Sequence, residues 1–400
     1  MKILQILPKI PYPPVDGHRK SMWGVIKYLA EKGHDITIVC YKQNVDAEKI
    51  ISSISNYAKC HILDVETKNS IWEAVKNLFS DIPYNLSKYN RRELKNFLID
   101  HLSMNRYDVI HVTNAHMGWV VDLVKSICAA PIVLRQENLE LSIMERYYQS
   151  QMTLIPKYYA YIQYQKLSKY EPKLCSKFDK CIMISEIDEG RLLEFNPNVN
   201  TTVIPLGVEN FLLEIEISKK SNFNIAHIGS LDWYPNRDGI DWFLKNIFQD
   251  VLKTIPNAKL YLYGNMPKNF VIDAKFNENI IIKGFVENLW EELENISLAI
   301  VPLRIGSGIR VKILELLAAG INIISTEIGK EGIPVEDEKE ILIADSSNEF
   351  SNKIIRFFNG EYDSVTLAQK GRQIIINNYL WNNIAQKFEN TYQELIHKNK

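Results

Sequence analysis

At 400 residues the chain is long enough for two or three domains, and an apolar content of 46% supplies real cores. Lys and Arg number 47 against 48 Asp and Glu, and the net charge of −1 excludes a nucleic-acid coat or a charged tail as the basis of function. No apolar run reaches the ~18–20 residues that cross a bilayer, and the opening Met1–Pro8 segment is too short for a signal peptide. Five cysteines without Cys-x-x-Cys spacing read as reduced thiols of a cytoplasmic protein.

In chain order, Lys2–Leu7 reads as a buried strand, 8–17 as a proline-rich loop, Ser21–Lys32 as a helix stopped by Gly33, and Asp35–Cys40 as the next strand. This opening puts Gly17 and His18 at the carboxyl end of a strand, either as an ordinary turn or where a ligand approaches the backbone. Residues 41–106 are less legible: a strand near His61–Val65 and helices near Ile71–Phe79 and Arg91–Met104 are predicted. Short strands follow at Val109–Val112 and Pro131–Arg135, joined by a helix from Gly118 to Ser126. Residues 149–180 are helical, basic and aromatic, with breaks or kinks expected at Pro156 and Pro172. The stretch 157–177 reads either as a surface for anionic lipid or as a helix with one buried aromatic side and solvated lysines. Cys181–Ser185 is a strand, Glu186–Phe195 a helix, Thr202–Pro205 a strand, and Leu206-Gly207-Val208 the best linker.

The alternation then restarts. Strand Phe223–Ile228, a loop from Gly229 to Gly239, helix Ile240–Leu252, and strands Lys259–Tyr263 and Ile280–Lys283 lead to Gly284. The most informative stretch comes next: a strand from Leu298 to Leu303, then Gly306-Ser307-Gly308, a helix starting there, and a stop at Gly320. On that helix Gly308, Lys312 and Glu315 share an arc of about 60°. Such a helix start suits an anion, phosphate above all, although a Lys/Glu pair on a solvated face has the same spacing. A strand at Glu340–Ala344, helix Ser347–Phe358 and C-terminal helices complete two βα domains of similar size.

Several chemistries lack their residues. There is no Walker loop, no third glycine after Gly306-x-Gly308, no Asp-x-Asp or His-Glu-x-x-His metal pattern, and no Gly-x-Ser-x-Gly elbow.

Three blocks in order resemble the retaining GT-B glycosyltransferases of family 4, a resemblance that covers nearly the whole chain. They are His227-Ile-Gly229-Ser-Leu-Asp-Trp-Tyr-Pro-Asn236, Gly284-Phe-Val-Glu287-Asn, and Gly306-Ser-Gly-Ile-Arg-Val-Lys-Ile-Leu-Glu315 with Ser325-Thr-Glu-Ile-Gly-Lys-Glu-Gly332. Pro13-Pro-Val-Asp-Gly17, Ile184-Ser-Glu-Ile-Asp188 and Ile204-Pro-Leu-Gly207 are weaker echoes. The resemblance implies an α/β, GT-B fold of two Rossmann-like domains facing across a cleft. Residues 1–205 would bind the acceptor, 206–377 the nucleotide sugar, and a helix at about 378–400, including Trp381, would return to the first domain.

It also implies retention, no metal and no cofactor, the nucleoside-diphosphate sugar being a substrate. The acceptor would be a glycan, lipid-linked or protein-linked, and the site would lie in the cytoplasm or peripherally on the inner face of a membrane. Glu315 matches the carboxylate that holds the nucleotide ribose. Gly229, Ser230, Arg237, Gly284, Ser307, Gly308 and Ile309 fall at donor-binding positions, and Gly17 and His18 at an acceptor or phosphate loop. The chain departs from the pattern at Ser307, where a glutamate is common, at Gln136, where a histidine is common, and at Ser230, where an arginine is common. Lys312 and Arg310 would then carry the phosphate charge, and Gln136 would stand at the catalytic position. Two other classes fit the same blocks: a degenerate GT-B protein that binds or scaffolds, and a GT-B enzyme of another reaction type.

Overall fold

The computed structural model describes residues 1–400 apart from 43–46, 151–152, 268–269, 271–272, 274–275, 277, 307 and 399–400. The chain forms two compact units, Met1–Gly207 with Trp381–Lys400, and Val208–Leu380.

Among the described residues the first unit carries seven strands: β1 (Lys2–Leu7), β2 (Asp35–Tyr41), β3 (Lys59–Leu63), β4 (Val109–Thr113), β5 (Ile132–Gln136), β6 (Lys180–Met183) and β7 (Thr201–Val203). They lie in the order β3-β2-β1-β4-β5-β6-β7, and every neighbouring pair is parallel. Parallel strands are covered on both faces, which is why β1 beyond Lys2, β4 and β5 are buried along their whole length, apolar residues dominating and Gln5, His111, Arg135 and Gln136 buried among them. Leu94, Leu98 and Leu102 cover one face. Met22, Ile26 and Leu29 of the helix Gly17–Glu31 cover the other, together with Ile384 and Phe388 of the last helix, Trp381–Lys398. The Trp381 ring stacks on Tyr28 with centroids 5.8 Å apart. It also lies so close to Gly24 and Gly207 that a Cβ there would meet it at 2.0 and 2.2 Å.

The second unit repeats the plan with β8 (Asn224–Ile228), β9 (Lys259–Tyr263), β10 (Ile280–Gly284), β11 (Leu298–Val301), β12 (Asn322–Ser325) and β13 (Leu342–Ile343). Their order is β10-β9-β8-β11-β12-β13, again all parallel. Winding reverses between β1 and β4 in one sheet and between β8 and β11 in the other. Such a reversal opens a crevice at the carboxyl ends of the strands, where ligands bind.

Helix starts differ most from expectation. The first helix begins at Gly17 rather than Ser21, because the Asp16 carboxylate accepts the Arg19 amide as its N-cap. Tyr234–Asn246 is helical where a loop to Gly239 was expected. Pro235 is tolerated in its first turn, and Gly239 lets it approach the Pro302 carbonyl, which a Cβ would meet at 2.5 Å. The helix after β11 runs Val311–Ala318, so Gly308, with φ +80°, precedes it and shares no helical face with Lys312 and Glu315. A 3₁₀ turn, Ala115–Val120, replaces the start of the helix expected from Gly118.

Helix Leu154–Cys175 is continuous through both prolines. Pro156 lies in its first turn, where an N–H has no helical acceptor, and Pro172 lies in the last turn. The five cysteines are free, and among the described residues no helix is long and apolar enough to cross a membrane.

Candidate functional site

In the second unit the strand ends converge through glycine. The Gly229 N–H donates to the Tyr263 carbonyl at 2.9 Å, and the Gly264 N–H donates to the Gly284 carbonyl at 2.8 Å. All three glycines have positive φ: +141° at Gly229, +117° at Gly264 and +68° at Gly284. A Cβ on Gly264 would strike the Gly229 carbonyl at 2.6 Å, so the loops after β8 and β9 pack backbone on backbone.

Above Gly229 sits Lys312. Its Nζ donates to Asn236 Oδ1 at 3.0 Å, and the same amide donates from Nδ2 to the Ser230 carbonyl at 2.9 Å. A Cβ on Gly229 would lie 2.6 Å from Asn236 Nδ2 and 2.9 Å from Lys312 Nζ. Buried Asn236 is thus the clamp between the glycine loop and the lysine, and sequence reading missed it; its place in the first resembling block was the available signal. Burial, then the neighbouring Arg310 charge, bring the Lys312 ammonium down to about 7. His227 lies fully buried in β8, and burial followed by Lys312 pushes its imidazole well below the ordinary range.

Arg310 is itself buried and stands at the N-cap of Val311–Ala318 without a side-chain cap bond. Gly306, at φ +138°, passes so close that a Cβ would lie 2.4 Å from Arg310 Nη2. Gly308 and Ile309 are buried beside it, and Glu315 follows Lys312 by three residues, about one turn, half-buried. Ser307 lies outside the described residues. Ser230 turns toward its own loop, its Oγ accepting from the Asp232 N–H at 3.2 Å. Half-buried Arg237 sits in the first turn of Tyr234–Asn246. Its neighbour Asp238 holds Arg304 in a two-point ion pair of 2.9 and 2.6 Å that anchors the loop after β11. Two cations, an uncapped helix start and a glycine-lined floor form an arrangement suited to an anion.

The first unit's crevice is built differently. His18, in the first turn of Gly17–Glu31, has its Nε2 2.9 Å from Glu137 Oε2 and 2.9 Å from Asn114 Nδ2. Gly17 is exposed at the helix start. Asn114 follows β4 with φ +65°, and its Oδ1 accepts from the Glu137 N–H at 3.1 Å. Against the upward pull of burial, His18 and then Arg135 hold the Glu137 carboxyl below its usual range. Neither Asn114 nor Glu137 stands out in the sequence, beyond lying just past a buried strand.

Gln136 corrects an expectation. It is fully buried. Its Oε1 accepts from the Ala115 N–H at 2.8 Å and its Nε2 donates to Glu171 Oε1 at 2.8 Å. Both ends of the amide are used internally, so Gln136 ties strand β5 to the Leu154–Cys175 helix and presents nothing to a substrate. Glu171 also accepts the N–H groups of Glu140 and Leu141 at 3.1 and 2.8 Å, capping the helix Glu140–Ser150 from outside. Burial, then the Glu140 charge, raise its carboxyl to about 8. Among the described residues no group of three or more His, Cys, Asp or Glu is arranged to hold a metal ion.

A family model described as Glycosyltransferase Family 4 matches residues 15–210, and one described as Glycosyl transferases group 1 matches residues 222–359. An uncharacterised protein in the cps region of Klebsiella pneumoniae is 25% identical over 393 residues, covering 94% of this chain and 96% of its own. Sucrose-phosphate synthase from Thermosynechococcus elongatus superposes with a TM-score of 0.73 at 15% identity over 100% of both chains. HepE from Anabaena, in complex with UDP, gives a TM-score of 0.69 at 14% identity over 98% of this chain and 100% of its own. A TarM variant from S. aureus, with UDP and α-GlcNAc-glycerol, gives 0.70 at 12% identity over 98% and 99%. At these identities the superpositions establish the fold alone, while the two family models between them span both units. The chain belongs to the group 1, family 4 glycosyltransferases, with the paired parallel sheets of the GT-B fold.

Proposed function

We propose that the chain moves a sugar, with retention and without a metal ion, from a nucleoside-diphosphate sugar to a glycan, lipid-linked or protein-linked acceptor in surface-polysaccharide or glycoconjugate synthesis. The Val208–Leu380 unit takes the donor and the first unit the acceptor. The observation that carries this reading is Lys312, held over Gly229 by Asn236 beside Arg310. A leaving nucleoside diphosphate develops negative charge, and preorganised cations and N–H groups stabilise it most where water is excluded. Lys312 and Arg310 supply that charge, the backbone N–H groups around Gly308 and Ile309 add dipoles, and Glu315 takes the ribose hydroxyls. HepE and TarM, solved with UDP, support a uridine nucleotide as the first donor to try. The cps-region relative supports a surface polysaccharide as product. The chain then works in the cytoplasm, at the inner face of a membrane when its acceptor is lipid-linked.

Thermal unfolding of the purified chain with UDP, GDP, ADP and CMP tests the site, because a ligand that binds only the folded state raises the midpoint by mass action. Sugar transfer from the matching nucleotide sugar, with EDTA present and the product anomer read by NMR, tests the chemistry. Nucleotide binding without consumption of any donor would instead identify a binding protein.

A further inference from the structure

Met104 apart, the most exposed apolar side chains of the first unit gather in two stretches. Trp72 and Phe79 are 79% and 93% exposed, and Leu154 and Ile155 are 84% and 85% exposed. The stretches adjoin. Tyr84 Oη meets the Ser70 N–H at 2.7 Å, while the Tyr84 N–H donates to Gln163 Oε1 at 2.9 Å. Gln163 Nε2 donates to Asn77 Oδ1 at 3.2 Å, and Lys166 Nζ reaches the Asn77 and Leu78 carbonyls at 2.5 and 3.3 Å. Both ends of the helix Ile71–Asn77 are thereby pinned to the helix Leu154–Cys175.

The long helix has an ordered surface. Ala160, Gln163, Leu167, Glu171 and Leu174 are buried on one side. At 100° per residue the exposed side places Leu154, Ile155 and Tyr158 within about 160° of arc that also holds Lys157, Lys169 and Lys173. The helix's single carboxylate, Glu171, belongs to the buried side. Its outward face therefore gathers its apolar side chains in the first turns, beside Lys157, and carries Lys169 and Lys173 beyond them, along roughly 33 Å. An apolar end with aromatic neighbours suits the acyl boundary of a bilayer, and a lysine row suits anionic headgroups. On the long helix, pairing two copies would set lysines against lysines or against apolar side chains, and the short helix adds the one exposed carboxylate of Glu73 against them.

We propose that the face built by the helices Ile71–Asn77 and Leu154–Cys175 docks on an anionic lipid bilayer, lying in its surface. This deepens the membrane placement proposed above and rests on the transferase reading only for what the docking serves.

The test is flotation of the full chain with vesicles of phosphatidylglycerol and phosphatidylcholine, and with phosphatidylcholine alone, at low and high salt. Binding to the anionic vesicles, weakened by salt, is expected. Replacing Trp72→Glu with Phe79→Glu should reduce the bound fraction by about tenfold or more. Lys169→Glu with Lys173→Glu should reduce it several-fold and flatten the salt dependence, because polybasic attraction is screened. Melting midpoints with and without UDP serve as the control for folding and for the nucleotide site. A UDP shift that persists while vesicle binding is absent in the parent chain, or unchanged in either variant, overturns the docking and leaves the donor site standing. A concentration-dependent dimer by light scattering, abolished by the Trp72 and Phe79 changes, overturns it in favour of self-association.

Discussion

The two crevices sit at equivalent reversals of two sheets wound the same way, yet their chemistry is opposite. In the second unit glycines clear a floor and two cations, Lys312 and Arg310, stand together over it, with Lys312 held by a neutral amide. In the first unit the polar groups are partnered from within: His18 with Glu137, His116 with Glu140 at 3.7 Å, and Gln136 with Glu171. A parallel sheet offers the same position twice, and the side chains after each strand decide whether it invites an anion or is closed on itself.

The largest expected break in that contrast is Lys312→Ala. It should lower kcat/KM for the nucleotide sugar by about 10²–10³. The UDP-induced melting shift should be mostly lost, while His18→Ala keeps it. An unchanged shift and turnover in Lys312→Ala would return the charge to some other residue. Next comes Gly229→Ala. Its Cβ would meet Asn236 Nδ2 at 2.6 Å on a backbone at φ +141°, so the clamp must shift. A stability loss of about 1–3 kcal/mol is expected from such strain, with weaker UDP binding, read by denaturant titration and calorimetry.

Gln136→Leu sharpens the comparison from the other side. It leaves the Ala115 N–H and Glu171 short of a partner, and should cost about 1–3 kcal/mol in denaturant midpoint with UDP affinity unchanged. A raised donor KM at intact stability would make Gln136 a site residue after all.

The smallest effects are in pH. Lys312 titrates at about 7 in the folded unit against 10.5 ordinarily, so between these values the unfolded chain binds more protons and the second unit gains stability as pH rises. Glu171 titrates at about 8 against 4.5, so the folded state binds the extra proton and the first unit loses stability across that range. Hydrogen exchange followed unit by unit should show opposite slopes, flattened singly by Lys312→Met and Glu171→Gln. An anion over Lys312 restores its proton, so UDP binding above pH 7 should take up protons, read as a buffer-dependent heat.

Strands were legible because parallel strands buried on both faces are rich in apolar residues, as Leu298–Val301 illustrates. β3, with mostly half-buried residues at the sheet edge, lacks that contrast, and its region read poorly. Helix starts were missed where a single cap or a first-turn proline decided them, at Asp16 and Pro235. The glycine and lysine motif was readable since its residues lie close in sequence. Asn236's link to Lys312 spans 76 residues and Asn114's to His18 spans 96, and no periodicity encodes such contacts.

The last helix makes the first unit discontinuous in sequence. Tyr392 meets His111 at 2.5 Å across 281 residues, and Trp381 sits between Gly24 and Gly207. During synthesis, residues 1–207 therefore emerge with a sheet face only partly covered and wait for the helix Trp381–Lys398. Val208–Leu380 brings its own ends together, with the Val208 N–H on the Tyr379 carbonyl at 2.7 Å, and has its whole core in hand well before then. A nascent chain should mature from the middle outward, and a stop codon shortly before Trp381 should spare the later-made unit while stranding the earlier one.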